Sequence, residues 1–173
     1  MKIIQTRDYK SQLMALYMDA FAKGASEQYI DELTLESYIE KLLKEGVALV
    51  AIENNEVIGA LLSCPLAFDE YVTSEIIENF AVEKCVYIAE MMVAEQARGK
   101  GVGRQLLAAF FEMSDTKQYS DAFIRVWDKN VGAIALYEKM GFTPYTTIEQ
   151  TKQKANGSET FVMQKIYLHK KMN

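Results

Sequence analysis

The sequence contains little of what several protein classes require. It has one histidine and two cysteines in 173 residues. A site built from several histidines is therefore excluded, and Cys64 and Cys85 lack the paired spacing of a zinc site, so we predict no metal. Because His169 stands alone near the C-terminus, a Ser–His or Cys–His nucleophilic couple is disfavoured as well. Cys64 lies in an apolar strand pattern, which favours a small buried side chain over a nucleophile.

The sequence also lacks a long apolar run and an excess of basic residues. The longest uncharged apolar stretch runs from Ile58 to Phe68, well short of the roughly 20 residues that span a bilayer. The N-terminal stretch MKIIQTRDYK has no apolar signal core. A net charge of −5 and a pI near 5.0 argue against broad binding to nucleic acid or to an anionic membrane. We therefore expect a soluble cytoplasmic protein without a nucleic-acid or membrane partner.

Length and hydrophobic patterning predict one domain over residues 1–173. Half of the chain is hydrophobic, which is enough for one sizeable core. Two amphipathic helices are predicted before the main sheet. The first begins near Asp8; Thr34 caps the second, and Gly46 ends it in a left-handed conformation.

Strand patterns fill much of the remaining sequence. VALVAIENNEVIGALLSCPL predicts a hairpin that turns at Asn54 and Asn55, and the C-terminal TPYTTIEQTKQ and ETFVMQKIYLH predict another around Asn156–Gly157. VYIAEMMV and AFIRVWD predict two strands between these hairpins. Residues 69–85 are assigned no more than a short helix. The fold class is therefore mixed α/β, with a strand–helix–strand–helix unit between two antiparallel hairpins.

Each of the two middle strands precedes a predicted helix. The first helix is expected to turn four hydrophobic side chains inward, namely Val102, Leu106, Phe110 and Met113. The second helix runs from Val131 to Met140 and ends at Gly141.

A glycine-rich loop separates the first middle strand from its helix. Three cations and three glycines occupy seven positions: Arg98, Gly99, Lys100, Gly101, Val102, Gly103 and Arg104. Backbone N–H groups at a helix N-terminus, with cations beside them, favour a phosphate ligand. A Walker A loop is excluded because Arg104 and Gln105 follow the last glycine. A dinucleotide fingerprint, G-x-G-x-x-G, is excluded because its last glycine, counted from Gly99, would fall at Arg104.

The loop resembles the acetyl-CoA loop of the GNAT N-acetyltransferase superfamily, whose pattern is Arg or Gln, two residues, Gly, one residue, then Gly or Ala. Arg98, Gly101 and Gly103 match this pattern, and NVGAIALYEKMGF at 130–142 resembles the family's second signature. The resemblance implies a GNAT-type fold, with a central splayed, mostly antiparallel sheet flanked by helices. It also implies acetyl-CoA as cosubstrate. Dimers are common in the family, so a homodimer is compatible with the resemblance. The N-terminal region and residues 69–85 match the family by layout only.

The resemblance further implies which residues bind acetyl-CoA. The expected contacts are Met92, Val93, Arg98, Gly99, Lys100, Gly101, Val102, Gly103, Arg104, Asn130, Ala133 and Tyr137. Backbone N–H groups from Arg98 to Gly103 would donate to the pyrophosphate, where the helix dipole favours negative charge. Asn130 is equally well placed to cap the helix that follows it.

Acyl transfer to an amine requires a proton acceptor and a proton donor. Glu90 is the candidate base because it lies in apolar sequence, which raises a carboxyl pKa; the alternatives are a structural carboxylate, another carboxylate or water. Positions 90 and 92 share one face of a regular strand, and a bulge would change which residue faces the substrate. The resemblance implies that the Val93 N–H stabilises the oxyanion and that Tyr137 protonates the leaving thiolate, core packing being the alternative for Tyr137. Direct transfer, without an acyl-enzyme, is favoured.

The acceptor side is expected to lie on the early helices and on the connection before the glycine-loop strand. These segments carry seven acids: Glu27, Asp31, Glu32, Asp69, Glu70, Glu75 and Glu78. They suit a cationic amine, although the alternative is that they are ordinary solvated charges. A small-molecule primary amine is the leading prediction. The alternatives are a protein N-terminus or lysine, and a non-catalytic acyl-CoA-binding or sensing domain.

Overall fold

The computed structural model describes residues 1–114 and 118–172. Its helices and strands are, in chain order, β1 (Lys2–Gln5), α1 (Lys10–Phe21), α2 (Glu32–Glu45), β2 (Val47–Glu53), β3 (Glu56–Pro65), α3 (Ser74–Asn79), β4 (Cys85–Val93), α4 (Val102–Met113), β5 (Asp121–Trp127), α5 (Val131–Lys139), β6 (Thr143–Gln153) and β7 (Thr160–Lys171). The strands form one sheet in the order β1-β2-β3-β4-β5-β7-β6. Five of its six strand pairs are antiparallel, and β4 and β5 are parallel. The predicted mixed α/β fold with a mostly antiparallel sheet is confirmed.

Helices cover both faces of the sheet. On one face, Leu13 of α1 and Ile39 of α2 are fully buried against sheet residues such as Leu62. On the other face, Leu106 of α4 packs with Leu61. Because successive strand residues point to opposite faces, β3 supplies both cores from adjacent positions.

Strand β4 contains a bulge. Leu62 pairs with Glu90 but Ser63 pairs with Ile88, so Ala89 is an extra residue on β4. Tyr87 faces α1 and α2 before the bulge, and Met92 faces them after it. The bulge therefore puts Glu90 on the α1/α2 face although it lies an odd number of residues from Tyr87.

Strands β4 and β5 separate beyond the bulge. Their parallel ladder runs from Cys85 opposite Asp121 to Ile88 opposite Ile124 and ends there. The remaining residues of β4 continue to pair with β3, and those of β5 continue to pair with β7. A gap therefore opens in the middle of the sheet, and this gap is the splay that the resemblance implies.

Several local predictions are confirmed. Asn54 and Asn55 have φ of 51° and 65°, as the predicted turn between β2 and β3 requires. Gly141 ends α5 with φ 89°, and Gly157 lies in the β6–β7 turn with φ 75°. A short helix, α3, lies within residues 69–85.

Three local predictions are wrong. Asp31 rather than Thr34 caps α2, because its carboxylate accepts the Thr34 N–H at 2.8 Å. Gly46 is extended, with φ −126°; a side chain there would collide with the Ser63 carbonyl oxygen, so close strand packing requires this glycine. Met113 is 53% exposed, because it lies in the last turn of α4, beyond the covered part of the sheet.

Candidate active site

Glu90 lies beside the gap between β4 and β5, and its carboxylate is held by α2. Tyr38 of α2 donates a hydrogen bond of 2.8 Å to Glu90 Oε1. Burial raises the pKa of Glu90 to about 7, while the Tyr38 hydrogen bond and the charges of Lys165 and Arg125 oppose the rise. A carboxyl with a pKa near 7 exchanges protons readily at neutral pH.

A buried ion pair lies on the same face as Glu90. Arg125 Nη1 of β5 donates to both oxygens of Asp69, at 2.9 and 3.0 Å. The Tyr167 hydroxyl joins the pair, 2.6 Å from Arg125 Nη1 and 2.6 Å from Asp69 Oδ2. The guanidinium also lies over the rings of Tyr71 and Tyr87, 4.9 and 5.6 Å from their centroids. The arginine is therefore held rigidly next to the gap.

The predicted acidic acceptor surface is not what the structure shows around Glu90. Asp69 is neutralised by Arg125. The other six acids of that set are exposed: Glu27, Asp31, Glu32, Glu70, Glu75 and Glu78. The burial pattern therefore supports the alternative that most of these acids are solvated charges.

Two lysines of the C-terminal hairpin face Glu90 instead. Lys152 of β6 and Lys165 of β7 are partly buried on the α1/α2 face. Burial lowers the pKa of Lys165 to about 8, and the charges of Lys152 and Arg125 act in the same direction, whereas Glu90 opposes the fall. Burial and then the charge of Arg125 lower the pKa of Lys152, and the charge of Glu90 opposes the fall.

The glycine loop lies at the end of β4 and leads into α4. Gly99 and Gly101 have φ of 73° and 80°, in the left-handed region that glycine tolerates. Among the described residues, nothing lies within 4 Å of a Cβ built at Gly99, and at Gly101 the nearest atom is a Gln105 side-chain nitrogen at 3.9 Å. The backbone of the loop is therefore open to a ligand. Arg98, Lys100 and Arg104 are all exposed.

Val102 and Gly103, two of the residues predicted to contact the cosubstrate, take part in packing. Val102 is buried in the core beneath α4. A Cβ at Gly103 would lie 3.1 Å from Leu136 Cδ2 and 3.2 Å from Met91 Cε, so this glycine lets α4 approach α5 and β4 closely.

The last residues of β4 face the gap through their backbone. The Ala94 N–H donates to the Ile58 carbonyl on β3 at 2.9 Å. Because backbone groups alternate between the two edges of a strand, the Val93 N–H points to the opposite edge, toward the gap. Arg98 Nε donates to the Val93 carbonyl at 3.2 Å, which ties the loop to the strand. The Met92 side chain is 1% exposed and belongs to the core under α1 and α2.

Helix α5 brings Tyr137 to the other side of the gap. Tyr137 is 6% exposed and packs against Phe142, with the ring centroids 6.2 Å apart. Burial and the Glu90 charge raise the pKa of its phenol, which therefore stays protonated at neutral pH. The Asn130 side-chain oxygen accepts a hydrogen bond of 3.2 Å from the Ala133 N–H. Asn130 therefore caps α5, as predicted.

Known proteins resemble the chain over most of its length. A model of the Acetyltransferase (GNAT) family matches residues 10–142. The chain belongs to this family. An N-alpha-acetyltransferase of Saccharolobus solfataricus is 29% identical over 128 residues, which cover 73% of each protein. An uncharacterised N-acetyltransferase of Bacillus subtilis is 35% identical over 57 residues, which cover 33% of this chain and 23% of that protein.

Solved structures share the fold of this GNAT acetyltransferase. The ribosomal-protein-alanine N-acetyltransferase from Brucella melitensis has a TM-score of 0.74 at 24% identity and covers 99% of both chains. A Salmonella typhimurium protein solved with its cofactor acetyl-CoA has a TM-score of 0.70 at 18% identity, covering 100% of this chain and 95% of that one. The predicted family, fold and enzyme class are confirmed.

Sequence reasoning missed the residues that surround Glu90 in this acetyltransferase. Tyr38 lies among the hydrophobic residues of α2, and the carboxylate that its hydroxyl contacts lies 52 positions away in the sequence. Side chains alternate between the two faces along a strand, and this alternation puts Lys152 and Lys165 on the inward face of the hairpin. In the sequence, this alternation is the one feature that could have identified them.

Other features of the described residues lie outside this site. A cleft of about 320 Å³ between the β2–β3 strands and the C-terminal end of α4 is lined by Ser63, Phe110 and Tyr119 among others, and contains none of the predicted site residues. Within residues 1–114 and 118–172 no group of three or more potential metal ligands is found. In the same ranges, no helix is long and apolar enough to cross a membrane.

Proposed function

We propose that this acetyltransferase moves an acetyl group from acetyl-CoA to a primary amine of a small molecule, directly within a ternary complex. The observation that carries the proposal is the gap between β4 and β5. Glu90 lies beside it on the α1/α2 face, and Tyr137 lies on the α4/α5 face with a pKa that responds to the Glu90 charge. A proton acceptor and a proton donor thus flank one opening.

The residues of the loop fit the proposed cosubstrate. Gly99 and Gly101 expose backbone at the N-terminus of α4, with open space above it. The exposed cations Arg98, Lys100 and Arg104 surround that backbone. Backbone donors, a helix dipole and side-chain cations together suit a pyrophosphate. Asn130 and Ala133 of α5 and Val93 of β4 complete the proposed contacts. Met92 is not among them, because its side chain is in the core and the alternation that turns Val93 toward the gap turns the Met92 backbone groups toward β3.

When bound, acetyl-CoA supplies an activated acetyl thioester. In the proposed reaction the amine nitrogen forms the new C–N bond as the C–S bond breaks. The free amine is the nucleophile. Glu90, directly or through water, takes the proton that the nitrogen loses as the C–N bond forms, and Tyr137 gives a proton to the departing sulfur. The Val93 N–H, which points toward the gap, donates to the carbonyl oxygen as negative charge develops on it.

A protein N-terminus is the second candidate acceptor. The Saccharolobus and Brucella relatives, named as acting on an α-amino group and on ribosomal-protein alanine, favour it.

A connection between two segments beside Glu90 favours the smaller acceptor. The Tyr29 N–H donates to the Gln153 carbonyl and the Ala155 N–H to the Glu27 carbonyl, each at 2.8 Å, so the α1–α2 connection is joined to the β6–β7 turn. This strap, residues 27–29 paired with 153–155, walls one side of the acceptor face.

A thiol-release assay tests the proposal. The protein is supplied with acetyl-CoA and a panel of small primary amines and of peptides with free N-termini. Turnover of small amines with kcat/KM well above that of peptides is expected. Preference for peptides would favour the second candidate, and tight CoA binding without thiol release from any acceptor would favour a sensing domain. A cytoplasmic location, a homodimer and a single domain over 1–173 remain predictions.

A further inference from the structure

The α1/α2 face of the C-terminal hairpin carries a buried polar side chain that makes no hydrogen bond within the described part of the chain. Gln150 of β6 is 4% exposed, and neither its side-chain oxygen nor its side-chain nitrogen has a hydrogen-bond partner among the described residues. A buried amide without partners costs free energy, so such a group needs a partner that arrives from outside the chain.

The two lysines that face Glu90 flank this glutamine. Gln150 and Lys152 share a face of β6 because they are two residues apart. Gln150 pairs with Met163 and Ile148 pairs with Lys165 across the β6–β7 ladder, so Lys165 is the diagonal neighbour of Gln150 on that face. Lys152 and Lys165 make no ion pair with any carboxylate within 4.0 Å in the described part of the chain.

The charges on this face do not balance. Arg125 and Asp69 neutralise each other through two hydrogen bonds. Among the described residues, the remaining charged group that acts on Lys152 and Lys165 is Glu90, so one cation is in excess even when Glu90 is ionised. Burial is the main cause of the lowered pKa of both lysines; repulsion from Arg125 adds to it for both, and repulsion from Lys152 adds to it for Lys165. An incoming anion would relieve the repulsion between the cations.

From this geometry we infer that Lys152, Lys165 and Gln150 form a subsite for a carboxylate on the acceptor, so that the substrate is an amino acid rather than a simple amine or a polyamine. The lysines provide charge, and the Gln150 side-chain nitrogen provides a donor. The strap ends at Gln153, next to Lys152, and encloses this end of the face. The inference rests on the proposed function, since it assigns the non-reacting end of the same acceptor.

Matched acceptors test the subsite. Glycine, L-alanine, L-phenylalanine, β-alanine and 4-aminobutyrate are each compared with their own carboxamide in the thiol-release assay, at a pH where both members of a pair have a known free-amine fraction. A charge-assisted contact predicts that at least one acid exceeds its amide by about 10-fold or more in kcat/KM per free amine. Lys165→Met and Gln150→Leu should reduce this ratio toward one, chiefly through the KM of the acid. The ratio is the readout because any change in Glu90 basicity affects acid and amide alike.

Lys171→Met is the control, since Lys171 is an exposed lysine on the same strand, and its acid-to-amide ratio should equal that of the wild type. Binding of the N-acetylated acids and amides to the CoA-loaded protein, measured by calorimetry, tests the subsite without turnover. If the wild type binds the N-acetylated acids more tightly than their amides and Lys165→Met loses this difference, the subsite is supported, even when no acceptor releases thiol. The absence of thiol release would reject the proposed function but not the subsite. Acids and amides that are turned over and bound equally, or a preference for amides, would overturn the subsite and leave the transfer reaction standing.

Discussion

The Tyr38 hydroxyl of α2 lies 2.8 Å from Glu90 Oε1 of β4 and donates to it across the interface between helix and sheet. A hydrogen bond to an ionised carboxylate favours the charged form. Burial acts against it and is the larger effect, since the pKa of Glu90 is raised to about 7. The balance between these two effects sets the pH at which Glu90 is able to accept a proton.

This balance predicts a measurable pH dependence. Below pH 7 the logarithm of kcat/KM for an amine of high pKa should rise with slope two, because the amine and Glu90 both lose protons, and above pH 7 with slope one. Glu90→Gln should show slope one throughout. Tyr38→Phe removes a hydrogen bond to the ionised Glu90 carboxylate, so the pH at which the slope changes from two to one should be higher in this variant by about one unit. An unchanged break in Tyr38→Phe, or slope two in Glu90→Gln, would assign the base to water or another carboxylate.

Glu90 should also make folding stability depend on pH. Its folded pKa of about 7 exceeds the ordinary value of 4.5, so its contribution to stability is fully present below about pH 4.5 and is lost as the pH rises through 7. Glu90→Gln stays neutral. Its free energy of unfolding relative to the wild type should therefore increase between pH 5 and pH 8, by up to about 3 kcal/mol. Urea unfolding at both pH values measures this, and Glu138→Gln on the exposed surface of α5 should show no such increase.

Tyr137→Phe should impair turnover far more than binding. If its hydroxyl protonates the leaving sulfur, that contact strengthens mainly in the transition state, so kcat should fall by about 10²- to 10⁴-fold with little change in KM for acetyl-CoA. Stopped-flow measurement of thiol release under single-turnover conditions isolates the chemical step. Tyr9→Phe, at the start of α1, serves as the control. A single-turnover rate equal to that of the wild type would reduce Tyr137 to a packing residue.

Gly101→Val should weaken CoA binding in a folded protein. The added side chain would occupy the open space over the loop where the pyrophosphate is proposed to bind. The positive φ also adds backbone strain, and Gly157→Val is the matched control because Gly157 has φ 75° and open space around it in the distant β6–β7 turn. Calorimetry with CoA should show a loss of affinity in Gly101→Val alone. Equal affinities for the two folded variants would remove the loop from the CoA site.

The buried ion pair should contribute more to stability than an exposed one. Asp69→Ala leaves Arg125 buried without its carboxylate, which should cost about 3–5 kcal/mol in the free energy of unfolding. Asp19→Ala removes the exposed partner of Lys23 and should cost less than about 1 kcal/mol. Denaturant titration compares the two, and similar losses would mean that the Arg125 environment is already hydrated.

Local sequence determined the glycine-rich loop between β4 and α4. Gly99, Gly101 and their neighbouring cations are adjacent in the chain, and a glycine's conformational freedom and a helix N-terminus are local properties, so the loop was predictable before any fold was known. The same holds for the turns at Asn54–Asn55 and Gly157. Glu90 was also predictable as a candidate, since a carboxylate in an apolar strand is conspicuous.

The tertiary structure alone decided what surrounds Glu90. The hydrogen bonds around Glu90 on the α1/α2 face join residues 52, 56 and 98 positions apart, namely Tyr38 with Glu90, Arg125 with Asp69, and Tyr167 with Asp69. Sequence counting assigned an acidic character to this face, because acids are frequent in the early segments. Folding pairs the one buried acid of that set with Arg125 and brings in two lysines from the C-terminal hairpin. Burial and pairing, rather than composition, set the charge of a site, because each depends on which strands become neighbours.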